Sequence, residues 1–255
     1  MSAAPADAAP GPEHPSGPWY ERAFGSDYLD LYAHRSAEAA DAEIAALLAA
    51  LELARPTRLL DLCCGAGRHG AALARRGFDP VGLDLSPALL FRARAQGLRV
   101  SRGDMRALPF ADASFELVLQ LFTSFGYFER DVENAAVLAE VARVLAPGGR
   151  HVLDLMNKQR VLASLVPRSE ELRGGVRWIQ ERCFDAVRRR VEKQVTCIDA
   201  AGRHDTWRES VVVYEPAEIA ALLGTQGLQV EALWGDFGGR PFDLEAPRMI
   251  VIARR

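Results

Sequence analysis

A glycine-rich turn early in the sequence has the residue types of a nucleotide site. The apolar run at residues 58–62 leads into Gly65-Ala-Gly67-Arg-His-Gly70, and a helical pattern follows. Glycines suit a chain that reverses tightly and whose backbone approaches a ligand more closely than a Cβ atom permits. Asp84 ends the next predicted strand, and its carboxylate has the paired acceptor oxygens that two ribose hydroxyls require. By itself, the Gly-x-Gly-x-x-Gly spacing also matches the dinucleotide fingerprint.

Neighbouring residues distinguish the candidate nucleotides. Nicotinamide-binding folds usually lack an acid four positions before the first fingerprint glycine, where this sequence has Asp61. Residues 60–67 resemble the first motif of the class I S-adenosylmethionine-dependent methyltransferases, with Cys63 in place of that family's first glycine. Residues 81–86 are similar to the family's second-strand motif and residues 103–110 to its third-strand motif. The motifs occur in register, so the resemblance is specific.

The resemblance implies a role for each matched position. The Asp84 carboxylate would bind the ribose hydroxyls, and Asp104 with the backbone after it would contact the adenine of S-adenosyl-L-methionine. The cofactor-binding residues predicted in this way are Tyr20, Tyr32, Arg35, Asp61, Cys63, Gly65, Gly67, Asp84, Leu85, Asp104, Met105 and Gln120. Taken singly, Asp61 and Asp84 are also plausible helix caps and Asp104 a plausible turn residue. It is much less probable that all three of these local explanations hold at once than that the three acids belong to a cofactor site.

An aromatic segment precedes the glycine turn. Its rings are those of Trp19, Tyr20, Phe24, Tyr28 and Tyr32. In many members of the resembled family such a segment folds over the cofactor, which implies a lid formed by its three tyrosines. Arg35 would then pair with the methionine carboxylate through its planar guanidinium. The alternative is that the rings are ordinary core and that Arg35 is a solvated side chain.

The methyl acceptor is expected beyond the carboxyl ends of the fourth and fifth predicted strands. Residues 120–128 follow the fourth strand and lack the Asn/Asp-Pro-Pro-Tyr pattern of enzymes that methylate the amino groups of nucleic-acid bases. Residues 123–127 are instead similar to small-molecule N-methyltransferases, including those that act on amino sugars. Tyr127 and Asn157 are the candidate catalytic residues, which would orient the acceptor by hydrogen bonds. Each is equally compatible with a packing role.

Other polar residues give weaker indications. His34 and His69 stand outside any ligand-like cluster, so we predict no metal site. The run at residues 188–190 is interpreted as exposed arginines of a strand turn and not as a nucleic-acid patch. Cys63 and Cys64 are adjacent, which suits neither a disulfide framework nor a zinc site, and we interpret them as small packing residues.

Composition limits the class of protein. With 255 residues, 49% apolar and 25% charged, the chain is expected to form one globular domain. A formal net charge of −3 disfavours a nucleic-acid partner, because phosphate backbones are bound by clustered cations. No apolar stretch has the length of a membrane-spanning helix, and the first residues lack the features of a signal peptide. We expect a cytoplasmic protein with a small-molecule substrate, and the oligomeric state stays open.

The elements that position these residues alternate between strand and helix from residue 58 to residue 156. This pattern predicts a Rossmann-like, doubly wound α/β fold with a mostly parallel seven-stranded sheet and a C-terminal antiparallel strand. Three β-rich stretches at residues 176–184, 189–198 and 207–214 predict an added antiparallel β-meander. Before the sheet, Ser36 is a plausible N-cap for a helix that extends to residue 53.

The predicted organisation is a disordered tail at residues 1–18 followed by one methyltransferase domain at residues 19–255. Within it, residues 19–54 form the N-terminal lid and helix, residues 55–157 the cofactor-binding core, residues 158–215 the meander and substrate region, and residues 216–255 the closing helix and strands. These boundaries follow changes in composition and in hydrophobic periodicity.

Together, the motifs and the resemblance imply methyl transfer to a small-molecule acceptor. Nitrogen is the first candidate for the methylated atom, with oxygen or carbon as alternatives. In-line displacement on an activated donor depends mainly on positioning. Two other classes stay open. A nicotinamide-dependent oxidoreductase would need a proton donor that we do not find, and a non-catalytic binder would keep the cofactor site while using the meander for partner contacts.

Overall fold

The computed structural model describes residues 17–32, 35–53 and 57–255, so His34 and nearly all of the predicted tail lie outside the described residues. The helices are α1 (Trp19–Ala23), α2 (Ser26–Leu31), α3 (Ala37–Leu51), α4 (Arg68–Arg75), α5 (Pro87–Ala95), α6 (Asp131–Val144), α7 (Lys158–Ser164) and α8 (Pro216–Gly224). The strands are β1 (Leu59–Leu62), β2 (Pro80–Asp84), β3 (Arg99–Arg102), β4 (Phe115–Gln120), β5 (Leu145–Leu155), β6 (Arg168–Arg173), β7 (Val176–Asp185), β8 (Arg190–Ile198), β9 (His204–Val212), β10 (Gln229–Trp234) and β11 (Met249–Arg254).

The larger sheet has seven strands in the order β10-β11-β5-β4-β1-β2-β3. Within this sheet β11 alone runs opposite to the other strands, and it pairs antiparallel with β5 and β10. This topology confirms the predicted Rossmann-like fold with its antiparallel C-terminal strand. The strand order reverses between β1 and β4, and ligands of open α/β sheets bind beyond the carboxyl ends of the strands at such a point.

Apolar side chains cover both faces of this sheet. On β4, Leu117 and Leu119 pack towards α3 and α4, while Val118 packs towards α6 and α8. A parallel sheet with helices on both faces requires nearly continuous apolar strands, because both sides of each strand are buried. None of the helices in the described part of the chain combines the length and apolar character needed to cross a bilayer.

Helix starts follow local chemistry. Ser36 caps α3, because its Oγ accepts a hydrogen bond from the backbone N–H of Ala39 at 3.1 Å, which confirms the predicted N-cap. By contrast, α4 begins at Arg68, two residues earlier than Gly70, where the helical pattern was expected to start. The reason is that Gly67 adopts φ +86° and turns the chain directly into the helix.

The second sheet is an antiparallel meander in the order β6-β7-β8-β9. Three of its strands match the predicted β-rich stretches, and β6 is an additional edge strand. Its sequence, Arg168-Ser-Glu-Glu-Leu-Arg173, is polar and mostly exposed, so it lacked the apolar alternation that identifies a strand. The aromatic N-terminal segment lies between the sheets, with α1 packed against β9.

The interpretation of residues 188–190 as exposed turn arginines is wrong for Arg190. Its side chain is 2% exposed, and its guanidinium donates hydrogen bonds of 2.6–3.3 Å to Ser210 and to the carbonyl oxygens of residues 126–128. Residues 126–128 belong to the loop after β4. Arg190 therefore fastens the meander to the carboxyl edge of the main sheet.

We expect Arg190→Met to lower the free energy of unfolding by about 3 kcal/mol, because it leaves several buried carbonyl groups without donors. The matched control is Arg189→Met. Arg189 forms part-exposed ion pairs with Glu218 and Asp131, whose loss should cost less than about 1 kcal/mol. Urea denaturation of both variants measures the difference. Equal losses of unfolding free energy would contradict the role of Arg190 in fastening the meander to the main sheet.

Candidate active site

Two adjoining cavities open at the carboxyl edge of the main sheet. A narrow one lies between the glycine turn and the N-terminal aromatic segment, and a larger one of about 820 Å³ lies between that segment and the meander. Four aromatic residues line both cavities: Phe24, Tyr28, Phe122 and Tyr127. The cavities therefore meet at an aromatic collar, the name used below for these four residues.

The glycine turn forms one wall of the narrow cavity. Gly65 and Gly67 have φ of +56° and +86°, and Cys63 has φ of +60°. A cysteine in the left-handed region is strained where glycine would not be. The turn therefore keeps the backbone that the resembled family builds with glycine, and the Cys63 Sγ lies against the Met105 Sδ at 3.6 Å.

The Asp84 carboxylate lines the narrow cavity from the end of β2. Its Oδ2 accepts a hydrogen bond from the backbone N–H of Gly65 at 2.9 Å, and its Oδ1 accepts one from Ser86 at 2.9 Å. Burial raises the pKa of Asp84, and these hydrogen bonds oppose that rise. Because each carboxylate oxygen has a further lone pair, the group is oriented as an acceptor for a vicinal diol.

Asp104 also lines the narrow cavity. Its Oδ1 accepts a hydrogen bond from the backbone N–H of Arg106 at 2.8 Å, and its carboxylate is also paired with the Arg106 guanidinium. Burial alone would raise the pKa of Asp104, but the hydrogen bonds from Arg106 outweigh it and lower the pKa. The guanidinium lies 4.3 Å from the ring centroid of Phe128, whose ring meets Tyr20 edge to face. This wall of the narrow cavity therefore offers planar side-chain faces and an oriented hydrogen-bond acceptor.

Asp61 lies beneath the glycine turn and is 2% exposed. Its Oδ2 is buried without a hydrogen-bond partner among the described residues. Burial, with a smaller contribution from the Asp84 charge, raises the pKa of Asp61 to about 7. The site therefore has two buried carboxylates with little compensating positive charge beside a tight turn, and one of them is oriented to accept from a diol. These features fit a nucleoside that carries positive charge. S-adenosylmethionine, with its sulfonium and ammonium groups, has that chemistry.

The structure brings seven of the predicted cofactor residues together. Those that line the narrow cavity are Tyr20, Cys63, Gly65, Asp84, Leu85, Asp104 and Met105. Asp61 lies behind the turn. Gly67 also lies outside the cavity. A Cβ there would come within 2.4 Å of Leu98, so glycine at this position allows close packing against α5 and the segment after it. Gln120 supports the loop after β4 by donating to the carbonyl oxygen of Ser124 at 2.9 Å.

Tyr32 and Arg35 line the larger cavity instead. The Arg35 guanidinium lies 3.8 Å from the ring centroid of Tyr32 and 5.2 Å from that of Phe122. Arg68 and Arg248 lie 3.9 Å and 4.9 Å from the same Phe122 centroid. Three guanidinium groups therefore surround one ring of the collar. No pattern in the sequence linked Arg248 to this position.

The backbone of the collar is itself unusual. Phe122 and Thr123 have φ of +56° and +59°, which non-glycine residues rarely adopt. The buried Asp154 holds them, because its Oδ2 accepts a hydrogen bond from the Phe122 N–H at 2.7 Å and its carbonyl accepts one from Thr123 at 3.0 Å. Backbone strain of this kind is kept only where surrounding contacts hold the residues in place, and it is common at functional sites.

The two candidate catalytic residues have different surroundings. Tyr127 lines both cavities, with its ring stacked on Phe24 at 5.7 Å, and burial raises its pKa so that the phenol stays neutral. Asn157 lines neither cavity. Its amide donates to backbone carbonyls of residues 243–246, and its Oδ1 caps α7. The acceptor-binding role predicted for Asn157 is therefore corrected to a structural one.

Comparison with known proteins identifies the family. A family model described as a methyltransferase domain matches residues 59–149. The chain is 29% identical over 197 residues to the dTDP-3-amino-3,4,6-trideoxy-alpha-D-glucopyranose N,N-dimethyltransferase of Streptomyces venezuelae, covering 74% of this chain and 82% of that protein. The chain is an S-adenosylmethionine-dependent methyltransferase.

Solved structures agree with this assignment of the methyltransferase. The structure of SAM-bound CalS10, an amino pentose methyltransferase from Micromonospora echinaspora, is similar with a TM-score of 0.65 and 27% identity, covering 90% of this chain and 97% of that one. The CcbJ methyltransferase from Streptomyces caelestis has a TM-score of 0.76 at 20% identity, covering 92% of this chain and 98% of that one, and shows the shared fold. The predicted enzyme class and cofactor are confirmed, which decides against the nicotinamide-dependent alternative.

We expect Asp84→Ala to weaken binding of S-adenosylhomocysteine to the methyltransferase by about 1–3 kcal/mol, because two ribose hydroxyls lose a charged acceptor. Calorimetric titration measures the change. The matched control is Asp79→Ala, which removes a carboxylate that is 79% exposed and paired with Arg99 just before β2. Unchanged affinity in Asp84→Ala would count against the proposed position of the ribose.

The raised pKa of Asp61 predicts a pH dependence of stability in the ligand-free protein. The folded state binds the Asp61 proton more tightly than the unfolded chain does, so this contribution to stability is greatest at acidic pH and is lost as the pH rises through about 7. Asp61→Asn removes the charge. The stability of the variant relative to the native protein should therefore rise by about 2–3 kcal/mol from pH 5 to pH 8 in urea denaturation. Parallel pH curves for the two proteins would contradict the assignment.

Proposed function

We propose that this methyltransferase methylates an amino group of a small, polar acceptor bound in the larger cavity. The observation that carries the proposal is the aromatic collar, through which the cofactor cavity opens into a second cavity of about 820 Å³. That volume lies within the range of small-molecule sites. An acceptor in the second cavity can reach the collar while the cofactor occupies the first.

The lining of the larger cavity favours a polar acceptor with acidic groups. Its charged residues are Arg35, Glu43, Arg68, Arg182, Lys193, Glu209 and Arg248. Arg68 and Lys193 pair with Glu43 and Glu209 of this set, and Arg248 pairs with Asp154. Arg35 and Arg182 have no carboxylate within ion-pair distance among the described residues, and the Arg68 Nη2 is buried there without a hydrogen-bond partner. A guanidinium in such a position favours an oxyanion.

Nitrogen is the proposed methylated atom. Two of the relatives that match over most of this chain and of their own length are named for an amino sugar and an amino pentose. An amine needs only to arrive neutral, whereas a hydroxyl acceptor requires a positioned base. The carboxylates that line the larger cavity are those of Glu43 and Glu209, and both already accept from neighbouring side chains. An amine, which needs no base in the transfer step, fits this lining better than an alcohol.

The collar and the N-terminal segment give the cofactor its position. When bound, S-adenosylmethionine supplies a methyl group already activated by a sulfonium. We propose that Tyr20 and Tyr28 cover it, that Arg35 pairs with its methionine carboxylate, and that the aromatic faces of the collar favour its cationic centre. Holding acceptor and methyl donor in line contributes roughly 7–11 kcal/mol to such reactions.

The setting of the reaction follows from the same observations. All four cysteines are free thiols, which suits the reducing cytoplasm. We propose that the methyltransferase acts there on a small molecule and without a nucleic-acid or membrane partner. The absence of a metal requirement stays a prediction.

The test is methyl transfer from isotopically labelled S-adenosylmethionine to pooled amines, amino sugars, alcohols and phenols, followed by mass spectrometry of the labelled products. We expect an N-methylated product whose formation S-adenosylhomocysteine inhibits. Labelling confined to oxygen or carbon would overturn the N-directed proposal, and the absence of any labelled product would overturn the acceptor class.

With the acceptor from that screen, Tyr127→Phe should lower kcat/KM by about tenfold while the Kd for S-adenosylhomocysteine stays unchanged, because the hydroxyl orients the acceptor and not the cofactor. Tyr214→Phe is the matched control, since its hydroxyl is buried without a partner among the described residues and lies outside both cavities. Equal rates for Tyr127→Phe and the native protein would reduce Tyr127 to a packing residue.

A further inference from the structure

A row of three charged residues crosses the cavity-facing side of the meander. Register places Arg182 on β7 opposite Lys193 on β8, and Lys193 opposite Glu209 on β9. All three line the larger cavity. Directly paired residues on the same face share one environment, so these side chains form a single charged row, the name used below.

Apolar side chains flank the charged row on both sides. Val191 pairs with Val211 on one side, and Val195 pairs with Trp207 on the other. Val195 and Trp207 are buried beneath the N-terminal segment. Charges set between apolar rows of a largely buried surface are costly unless each is compensated.

The compensation is incomplete. The Lys193 Nζ donates to the Tyr32 hydroxyl at 2.6 Å and lies 3.4 Å from both oxygens of Glu209, and the Tyr32 hydroxyl contacts the same carboxylate. Arg182 donates only to the neutral groups of Ser169 and Gln180. No carboxylate of the described residues lies within ion-pair distance of its guanidinium, so the row carries an excess positive charge.

A purely structural role accounts for only part of this arrangement. Lys193 and Glu209 form an ion pair whose side chains are 11% and 17% exposed, and such pairs often add little net stability. The ion pair also leaves Arg182 without an anion. Arg182 and Glu209 are the two ends of the row, and both face the same cavity.

Glu209 is also close to the point where the cavities meet, because its carboxylate accepts a hydrogen bond from Tyr32, whose ring centroid lies 4.6 Å from that of Tyr28 in the collar. After burial, its charge is among the influences that raise the pKa values of Tyr28 and Tyr127, two residues of the collar. Asp84, in the cofactor cavity, acts on the same two tyrosines. The collar therefore lies between a carboxylate on the cofactor side and a carboxylate on the acceptor side.

We propose that the charged row selects an acceptor that carries both an amine and an oxyanion, with Glu209 accepting a hydrogen bond from the amine and Arg182, together with Lys193, binding the phosphate or carboxylate. This inference rests on the proposed function and specifies its acceptor. Neighbouring strands lie about 4.8 Å apart, so the amine and the oxyanion should be separated by roughly 5–10 Å.

The experiment uses the full-length protein saturated with S-adenosylhomocysteine and titrated by calorimetry. The probes are ω-aminoalkyl phosphates and ω-amino carboxylic acids with two to six carbons, together with alkyl phosphates, alkyl carboxylates and alkylamines of matched length. At least one bifunctional probe should bind tenfold or more tightly than both of its single-charge counterparts. The preferred series identifies the oxyanion, and the preferred length gives its separation from the amine. Equal affinities of the bifunctional probes and their single-charge counterparts at every length would overturn the proposal.

Charge-neutral variants assign the two ends of the row. In Glu209→Gln, the bifunctional probe should bind no more tightly than the matched alkyl phosphate or carboxylate. In Arg182→Gln, it should bind no more tightly than the matched alkylamine. The double variant Lys193→Gln/Glu209→Gln avoids an unpaired buried lysine and should behave like Glu209→Gln. Glu181→Gln, on the opposite face and half exposed, is the matched control. A uniform loss for all probes in every row variant would show a structural role only and overturn the proposal.

Binding and methyl transfer are separate measurements, so the two proposals fail separately. An N-methylated product without any preference for bifunctional probes would overturn the role of the charged row alone. Conversely, absence of N-methylation in the acceptor screen would overturn the proposed function, whatever the binding data show. The Kd for S-adenosylhomocysteine and the Tm of each variant verify that the fold and the cofactor cavity are intact.

Discussion

The strained loop after β4 is the feature on which both cavities depend. Its backbone has positive φ at Phe122, Thr123 and Gly126, a conformation that the chain does not keep without support. That support comes from three parts of the molecule. Asp154 holds the first two residues, Gln120 holds the middle of the loop, and Arg190 of the meander binds residues 126–128. The loop supplies two of the four collar residues, so the shape of both cavities depends on contacts made by all three parts.

Charge is distributed unequally across the collar. On the cofactor side, Asp61 and Asp84 are buried carboxylates, and burial, followed by the charge of Asp84, raises the pKa of Asp61. In the larger cavity guanidinium groups predominate, and three of them, including the Arg35 group that we assign to the cofactor carboxylate, surround the Phe122 ring. A cationic cofactor and an acidic acceptor would each relieve the imbalance of its own cavity. The two cavities therefore differ in the charge that they favour as well as in shape.

Motif residues at strand ends could be placed from the sequence because the carboxyl ends of parallel strands meet at one edge of the sheet. Asp84, Asp104 and Gly65 follow three different strands, and all three line the narrow cavity. Tyr32 and Arg35, also predicted to bind the cofactor, line the larger cavity instead. They belong to the N-terminal segment, whose position depends on how it packs between the two sheets, and no local pattern encodes that packing. Asn157 shows the same limit, because its amide is occupied by a loop nearly ninety residues later in the chain.

The sequence by itself determined the alternation of strands and helices, the glycine turn and the acids that follow the strands, since periodicity and backbone conformation are local properties. Only the tertiary structure decided which of three consecutive arginines is buried, and that Arg182, Lys193 and Glu209 form one row. Burial of Arg190 depends on carbonyl groups contributed by a distant loop. The charged row depends on strand register and on the second sheet facing the first, and both are set by packing between segments far apart in the chain.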